Sequence, residues 1–264
     1  MSIDVAVIPA AGRGTRMRPA TRVVPKALIT VIDRPAIQYA VEEAARAGAK
    51  EAVVVVDLDA GHLIAQHFSL GGPLPGLEDI RVRPVVQEEP LGLGHAVYEA
   101  AEMVADRPFF CLLSDNIVRP GHDVLTRMAA GSDDGQTSVV CLRRYSDEYL
   151  DKYGFVIPKS EVVDDYLELG GAVEKPGVGN APSNLGLVGR YLFTPEVFSI
   201  LDKIDPGFGG EIQLTDAINE LGARGRLRGF VAEAELLDTG TPQGLIHATA
   251  VLGAHQFGPG VLGL

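Results

Sequence analysis

The chain has 264 residues, 46% of them hydrophobic, and a net charge of −12. That length supports a large core, and the acidic balance argues against nonspecific nucleic-acid binding, because phosphate backbones attract basic surfaces. No apolar run approaches the roughly 18 residues that span a bilayer, and the start Met1-Ser2-Ile3-Asp4 lacks the cationic region of a signal peptide, so the expected setting is the cytoplasm, with no membrane partner.

The first apolar run, Val5-Ala6-Val7-Ile8, closes at Pro9 and predicts a buried strand. It opens into Ala10-Ala11-Gly12-Arg13-Gly14-Thr15-Arg16-Met17. Gly12 and Gly14 permit a sharp turn there, and successive backbone N–H groups in such a loop can cradle an anion. Two common phosphate motifs do not fit. A dinucleotide fingerprint needs a third glycine where Met17 stands, and a P-loop needs Gly-Lys-Ser/Thr where Gly14-Thr15-Arg16 stands. The cations Arg13, Arg16, Arg18, Arg22 and Lys26 are concentrated here in an otherwise acidic chain. A plain strand-to-helix turn is one reading. Nucleotidyl or phosphoryl transfer is the other, since Arg16 and Lys26 beside a cradle would neutralise charge growing on phosphate oxygens.

Next, Asp33-Arg34-Pro35 predicts a helix start capped by Asp33, and Gly48 its stop. Strands are expected over 52–56, 80–86, 109–113 and 137–142, with helices over 63–68, 94–104 and 123–128. The stretch 71–76 is a glycine- and proline-rich loop. This alternation predicts parallel βαβ units with the chemistry beyond the carboxyl ends of the strands, where 10–16, Gln87 and Asp115 fall. The second half carries shorter strands at 155–157, 162–167, 172–174, 187–193 and 229–232. Its helices are expected over 195–202, 211–221 and 242–252. The expected fold is α/β: a mixed, mostly parallel central sheet flanked by helices, with a smaller β-rich subregion. Residues 1–264 form one domain in this reading, with halves at about 1–145 and 146–264.

Asp115 ends a buried strand, and Asp238 sits between an apolar pair and Thr239-Gly240. Each alone suits a turn or a cap. Together, opposite a triphosphate cradle, they make a plausible Mg2+ site, because Mg2+ takes one or two carboxylates plus phosphate oxygens and water. Glu174-Lys175 at a strand end is either a surface ion pair or a sugar-phosphate clamp. Gln87 offers a donor and an acceptor for a base edge, and Gly92 and Gly94 precede a helix whose loop could approach a base. His95 has no evident carboxylate partner in the sequence, so a packed or solvated role is expected. The other histidines lack metal-ligand spacing. Cys111 and Cys141 lie in apolar runs and are expected as buried thiols. Asp57-Leu58-Asp59 has the pattern of a glycosyltransferase metal motif, but Ala60-Gly61 and a helix follow, which favours a turn and cap.

These pieces resemble the sugar-1-phosphate nucleotidylyltransferases. The resemblance rests on residues 8–17, Pro25-Lys26, 91–97, Tyr153-Gly154, 173–176, 181–184, 188–191 and 210–218, in family order across nearly the whole chain. The bacterial uridylyltransferase branch is the most similar. The resemblance implies a Rossmann-like nucleotidyltransferase fold and attack by a sugar-1-phosphate oxygen on the α-phosphorus of a nucleoside triphosphate. UTP and glucose-1-phosphate are the first expectation; dTTP or another sugar-1-phosphate is the alternative. It also implies Ala10, Ala11, Gly12, Gly14 and Thr15 at the nucleotide, with Arg16, Lys26 and Lys175 as catalytic cations. Gln87 and Gly92 would read the base, Gly154, Glu174, Lys175 and Gly189 would hold the sugar phosphate, and Asp115 and Asp238 would bind Mg2+. A non-catalytic nucleotide-sugar sensor would not need Arg16, Lys26, Asp115, Asp238 and Lys175 together. Three departures stand out. Pro25-Lys26-Ala27-Leu28-Ile29-Thr30 replaces the usual Pro-Lys-Glu-Met-Leu-Pro, and Leu237-Asp238-Thr239-Gly240 resembles the thymidylyltransferase branch. The short 71–76 loop replaces a longer charged segment through which relatives assemble, so a homo-oligomer is an expectation that this loop must accommodate.

Overall fold

The structure is a computed structural model that describes residues 3–262 apart from 60, 120 and 134. The first half runs β1 (Val5–Pro9), a hairpin of β2 (Thr30–Val31) and β3 (Arg34–Pro35), α1 (Ala36–Arg46), β4 (Glu51–Val56), α2 (Gly61–Ser69) and β5 (Arg81–Val86). It continues with α3 (Leu93–Tyr98), α4 (Ala101–Val104), β6 (Phe109–Leu112), β7 (Asn116–Val118), α5 (Val124–Ala130) and β8 (Ser138–Arg144). The second half adds β9 (Gly154–Pro158), β10 (Tyr166–Glu174), β11 (Leu185–Phe193), α6 (Glu196–Leu201), α7 (Leu214–Ala223), β12 (Leu227–Val231), β13 (Leu236–Asp238) and α8 (Pro242–Phe257).

Nine strands form one sheet in the order β5-β4-β1-β6-β11-β8-β12-β10-β9. β5, β4, β1 and β6 run parallel, as the strand–helix alternation requires. β11 then enters antiparallel between β6 and β8, so the second half is woven into the first rather than appended to it. β8 and β12 are parallel, and β10 and β9 close the sheet antiparallel. β1 shows why its sequence is apolar throughout. Ala6 and Ile8 enter one buried cluster, with Ile37, Val41 and Ala44 of α1. Val5 and Val7 enter the other, with Ala217, Ile218 and Leu221 of α7. A strand covered by helices on both faces has no polar side to show.

A small ribbon of β7 and β13 lies outside this sheet. It packs on α8 through Ile117, Leu237, Ala248 and Leu252, which share a third cluster with Val31 and Ala36. Thr241 caps α8, its hydroxyl accepting from the Gly244 N–H, with Pro242 in the first turn as expected.

Four local expectations fail for identifiable reasons. Asp33 does not cap α1; it forms the β2–β3 turn with Ile32, whose φ of 64° is uncommon for a β-branched residue, and Pro35 holds the N-cap position. The helix expected over 94–104 is two helices, because Ala100 and Met103 donate back three residues rather than four at the joint. The strands expected at 162–167 and 172–174 are one strand, β10, with an irregularity between Leu169 and Gly171; Asp164 and Asp165, both at positive φ, turn the chain before it. α7 starts at Leu214 rather than 211, because Gln213 is extended at its N-cap and the Ile212 backbone bonds the loop at 91–94 instead. Cys111 and Cys141 are buried and free, and burial raises both thiols to about 12. Ala60, on which the expected turn after Asp59 depends, lies outside the described residues.

Candidate active site

The loop after β1 starts at the carboxyl end of β4. The Ala10 N–H bonds the Val55 carbonyl at 2.7 Å, and the Gln87 N–H bonds the Val56 carbonyl at 2.8 Å. The cradle loop and the base-reading candidate therefore emerge from β1 and β5, on either side of the end of β4. Gly14 has φ 56° and accepts at its carbonyl from the Thr21 hydroxyl and the Met17 N–H, which folds the loop back on itself. Among the described residues, the backbone N–H groups of 11–14 meet no protein acceptor, the condition an anion cradle needs. Thr15 and Arg16 are exposed on the turn that follows. Arg16 has no ion-pair partner among the described residues, so its guanidinium is available to a ligand.

The ribbon brings the two aspartates together. Asp238 on β13 stands in register with Asn116 on β7, and the Thr239 N–H and hydroxyl both donate to the Asp115 carbonyl, at 2.7 and 2.9 Å. Lys26 Nζ pairs with Asp115 Oδ2. The Gly240 N–H donates to Asp238 Oδ1 at 2.7 Å. A β-carbon on Gly240 would lie 2.8 Å from Asp238 Oδ1, 2.9 Å from Asp115 Oδ2 and 3.0 Å from Lys26 Nζ, so all three groups crowd one point that only glycine leaves clear. Tyr153 donates to the other Asp238 oxygen at 3.4 Å. Burial raises the Tyr153 hydroxyl to about 12, the Asp238 charge adds to the rise, and the Arg16 charge opposes it. Two carboxylates against one ammonium leave net negative charge, which suits a divalent cation completed by phosphate oxygens. No group of three or more His, Cys, Asp and Glu that could hold an ion occurs among the described residues.

The residues expected at the sugar meet around the ends of β9 and β10. Glu174 on β10 faces Gly154 on β9 in register. Its Oε2 accepts from the Thr215 hydroxyl at 2.8 Å, and its Oε1 lies 3.5 Å from Lys175 Nζ. Lys175 is held at φ 44°, with its N–H on the Tyr153 carbonyl, so the cation projects where the strand ends. Gly189 has φ 74°, and a β-carbon there would meet Asn116 Nδ2 and Leu113 at 2.9 Å. Any side chain would close this gap, and the positive φ also favours glycine.

The base-side residues sit apart, around Gln87. This side chain is buried and donates from Nε2 to the Gly92 carbonyl at 3.2 Å and to His95 Nδ1 at 2.9 Å. His95 does have a carboxylate partner, Glu99 one helical turn on, with Nε2 3.2 Å from Oε1. That corrects the expectation of a merely packed or solvated imidazole. The spacing of four within a helix was the available signal.

Sequence reasoning also passed over Arg190 as a working residue. It is fully buried on β11, paired with Glu43 of α1, and donates to the carbonyls of Leu113, Gly189 and Asn116. Its signal was a lone charge inside an apolar strand. Thr215 and Tyr153 were visible only as parts of longer motifs.

A nucleotidyl transferase family model matches residues 5–254. A UTP–glucose-1-phosphate uridylyltransferase of Bacillus subtilis is 36% identical over 92% of this chain and 89% of its own length. One of the same name from Pseudomonas aeruginosa is 34% identical over 94% of this chain and 95% of its own. A solved UDP-glucose pyrophosphorylase in complex with UDP-glucose superposes with a TM-score of 0.88, at 31% identity, over 96% of this chain and all of its own. A UTP-bound relative from Acinetobacter baumannii gives 0.84 at 31% identity, over 98% and 96%. The chain belongs to the nucleotidyl transferase family and is an enzyme of that class.

Proposed function

We propose that the enzyme transfers a uridylyl group from UTP to glucose-1-phosphate, giving UDP-glucose and pyrophosphate. The convergence of Lys26, Asp115 and Asp238 on Gly240, together with the open N–H loop and the Glu174-Lys175 pair, supports this reading most directly. It is the arrangement a two-substrate phosphoryl site needs: one anion cradle for each phosphate group and carboxylates between them.

In this mechanism the backbone N–H groups of 11–14, with Thr15, bind the triphosphate, seated on the buried Ala10 and Ala11. Gln87 and Gly92 hold the base. Glu174, backed by Thr215, accepts hydroxyl hydrogens of the sugar in the space left by Gly154 and Gly189, and Lys175 holds the sugar phosphate. The attacking oxygen is already an anion, so no residue need remove a proton. Arg16 and Lys26 stabilise charge at the phosphorus under attack and on the leaving pyrophosphate. Asp115 and Asp238 are the residues that would hold Mg2+, which when bound offsets phosphate charge. One sheet carries strands from both halves, which supports treating 1–264 as a single domain. None of the described helices is long and apolar enough to cross a membrane. Cytoplasmic action, where nucleoside triphosphates are made, and a homo-oligomeric state are further parts of the proposal; light scattering of the purified chain reads the latter.

The test is pyrophosphate release from UTP, dTTP, CTP, ATP and GTP, each against glucose-1-phosphate and other sugar-1-phosphates. Release is expected with UTP and glucose-1-phosphate first. Faster release with another pair would replace the substrates, and none with any pair would overturn the reading.

A further inference from the structure

Two polar groups behind the expected base-reading residue Gln87 have no part in the mechanism above: His95, which meets Gln87, and Glu99, which meets His95. A carboxylate can only accept, so the contact between His95 Nε2 and Glu99 Oε1 at 3.2 Å puts the ring proton on Nε2. In the neutral ring Nδ1 is then a bare acceptor. The atom of Gln87 that faces it at 2.9 Å must therefore be the amide nitrogen. The same nitrogen reaches the Gly92 carbonyl at 3.2 Å, an acceptor that does not depend on any tautomer. Both N–H groups of the amide are thus committed to the protein.

What is left is the Gln87 carbonyl oxygen. Among the described residues no donor meets it, and no side-chain nitrogen or oxygen among them is both buried and unpartnered, so Oε1 is open to solvent. Gln87 as a whole is 6% exposed, and turning its amide over would break both bonds of Nε2. The loop around it is pinned as well. The Gly94 N–H bonds the Ile212 carbonyl at 2.8 Å, and the Ile212 N–H bonds the Leu91 carbonyl at 2.7 Å.

We propose that His95 and Glu99 are positioning residues that lock the Gln87 amide with its carbonyl toward the base, so that the site selects a pyrimidine bearing an imide N–H, uracil or thymine, over cytosine. The proposal rests on the reading of Gln87 as a base-contacting residue. Uracil and thymine carry a donor at N3 that Oε1 can accept. Cytosine carries a bare nitrogen there, which would face the oxygen lone pair to lone pair. A free glutamine amide could flip to suit either ring. One whose nitrogen is held by Nδ1 and by the Gly92 carbonyl pays for the flip with two unpaired acceptors.

The experiment compares kcat/KM for UTP with that for CTP, at saturating glucose-1-phosphate and Mg2+, in the full-length enzyme and in Gln87→Leu, His95→Phe, Glu99→Leu and His95→Asn. His95→Phe and Glu99→Leu are expected to lower the UTP-to-CTP ratio by about tenfold, the scale of one neutral hydrogen bond, mostly through KM for the nucleotide. His95→Asn can return an oxygen acceptor to the place of Nδ1 and is expected to keep most of the preference. A ratio that falls in Gln87→Leu but stays at the parent value in His95→Phe and Glu99→Leu overturns the lock while leaving Gln87 at the base. An unchanged ratio in Gln87→Leu itself removes the base contact and the lock with it. Should His95→Phe fail to fold, Glu99→Leu and His95→Asn decide the matter between them.

Discussion

Arg190 on β11 and Glu43 on α1, 147 positions apart, form a buried ion pair with Nη2 2.8 Å from Oε2. The guanidinium spends its remaining donors on three carbonyls: Leu113 at 3.1 Å, Asn116 at 2.6 Å and Gly189 at 3.3 Å. Leu113 and Asn116 bracket Asp115, and Gly189 is one of the residues proposed to hold the sugar. One buried cation therefore ties the turn at Asp115 to the bend at Gly189, and Glu43 supplies its charge balance.

Removing that balance leaves a buried guanidinium without a counter-ion. Glu43→Gln is expected to cost about 3–5 kcal/mol of folding stability, the range for breaking a buried pair. Arg190→Lys keeps the charge but loses the planar fork that reaches several carbonyls at once. It is expected to raise KM for glucose-1-phosphate beyond what its stability loss explains. Urea melts and steady-state kinetics of both variants test this, and a parent-like Glu43→Gln melt with parent-like kinetics would remove the strut.

Arg16 is exposed and holds no ion-pair partner among the described residues, so its removal should leave the fold intact. Arg16→Ala is expected to lower kcat by about 10²-fold or more, because a charge aimed at the phosphate under attack acts chiefly in the transition state. Thermal melting should be close to that of the parent. Near-normal turnover would strip Arg16 of its assigned role.

Asp115 and Asp238 predict a metal phenotype. Asp115→Asn keeps the size of the side chain but loses both the charge and the pairing with Lys26. It is expected to raise the Mg2+ concentration for half-maximal activity and lower the plateau. Asp238→Asn should do the same, since its Oδ1 crowds the same point. A Mg2+ titration of each variant measures this. Unchanged half-saturation in both would move the ion elsewhere.

The parallel half of the fold was legible because its signals are local. β1, β4 and β6 are apolar runs, and each has a helix, α1, α2 or α5, further along the chain before the next strand of the main sheet. Candidate site residues could be picked out for the same reason: Gly12 and Gly14, Lys26, Asp115 and Lys175 stand at the ends of such runs. What the sequence hid was pairing at a distance. Nothing near Asp115 announces that Thr239, 124 positions away, will hold its carbonyl. Nothing near Arg190 points to Glu43. The hairpin at Ile32-Asp33 was hidden differently: a β-branched residue at positive φ is a poor turn former, so the helix cap looked the better use of Asp33. Likewise Ile212 left the helix expected of it because the loop at 91–94 needed its backbone.

Away from the site, Glu51 at the start of β4 offers a test of the sheet edge. Burial pushes its carboxyl up, but hydrogen bonds from Arg83 of β5 at 2.8 Å and from Arg107 at 3.0 Å outweigh this and hold it below the ordinary glutamate value. A carboxyl with a lower pKa in the folded chain than in the unfolded one binds fewer protons when folded. Its contribution is therefore fully present above the unfolded value of about 4.3 and is lost as the pH falls through the folded value. Glu51→Gln is expected to cost about 1 kcal/mol or less near neutral pH, because both arginines are partly exposed and solvent screens the pairs. The difference between parent and variant urea midpoints should hold from about pH 8 to 5 and shrink below that. A difference as large at pH 3 as at pH 7 would mean that Glu51 acts through packing rather than charge.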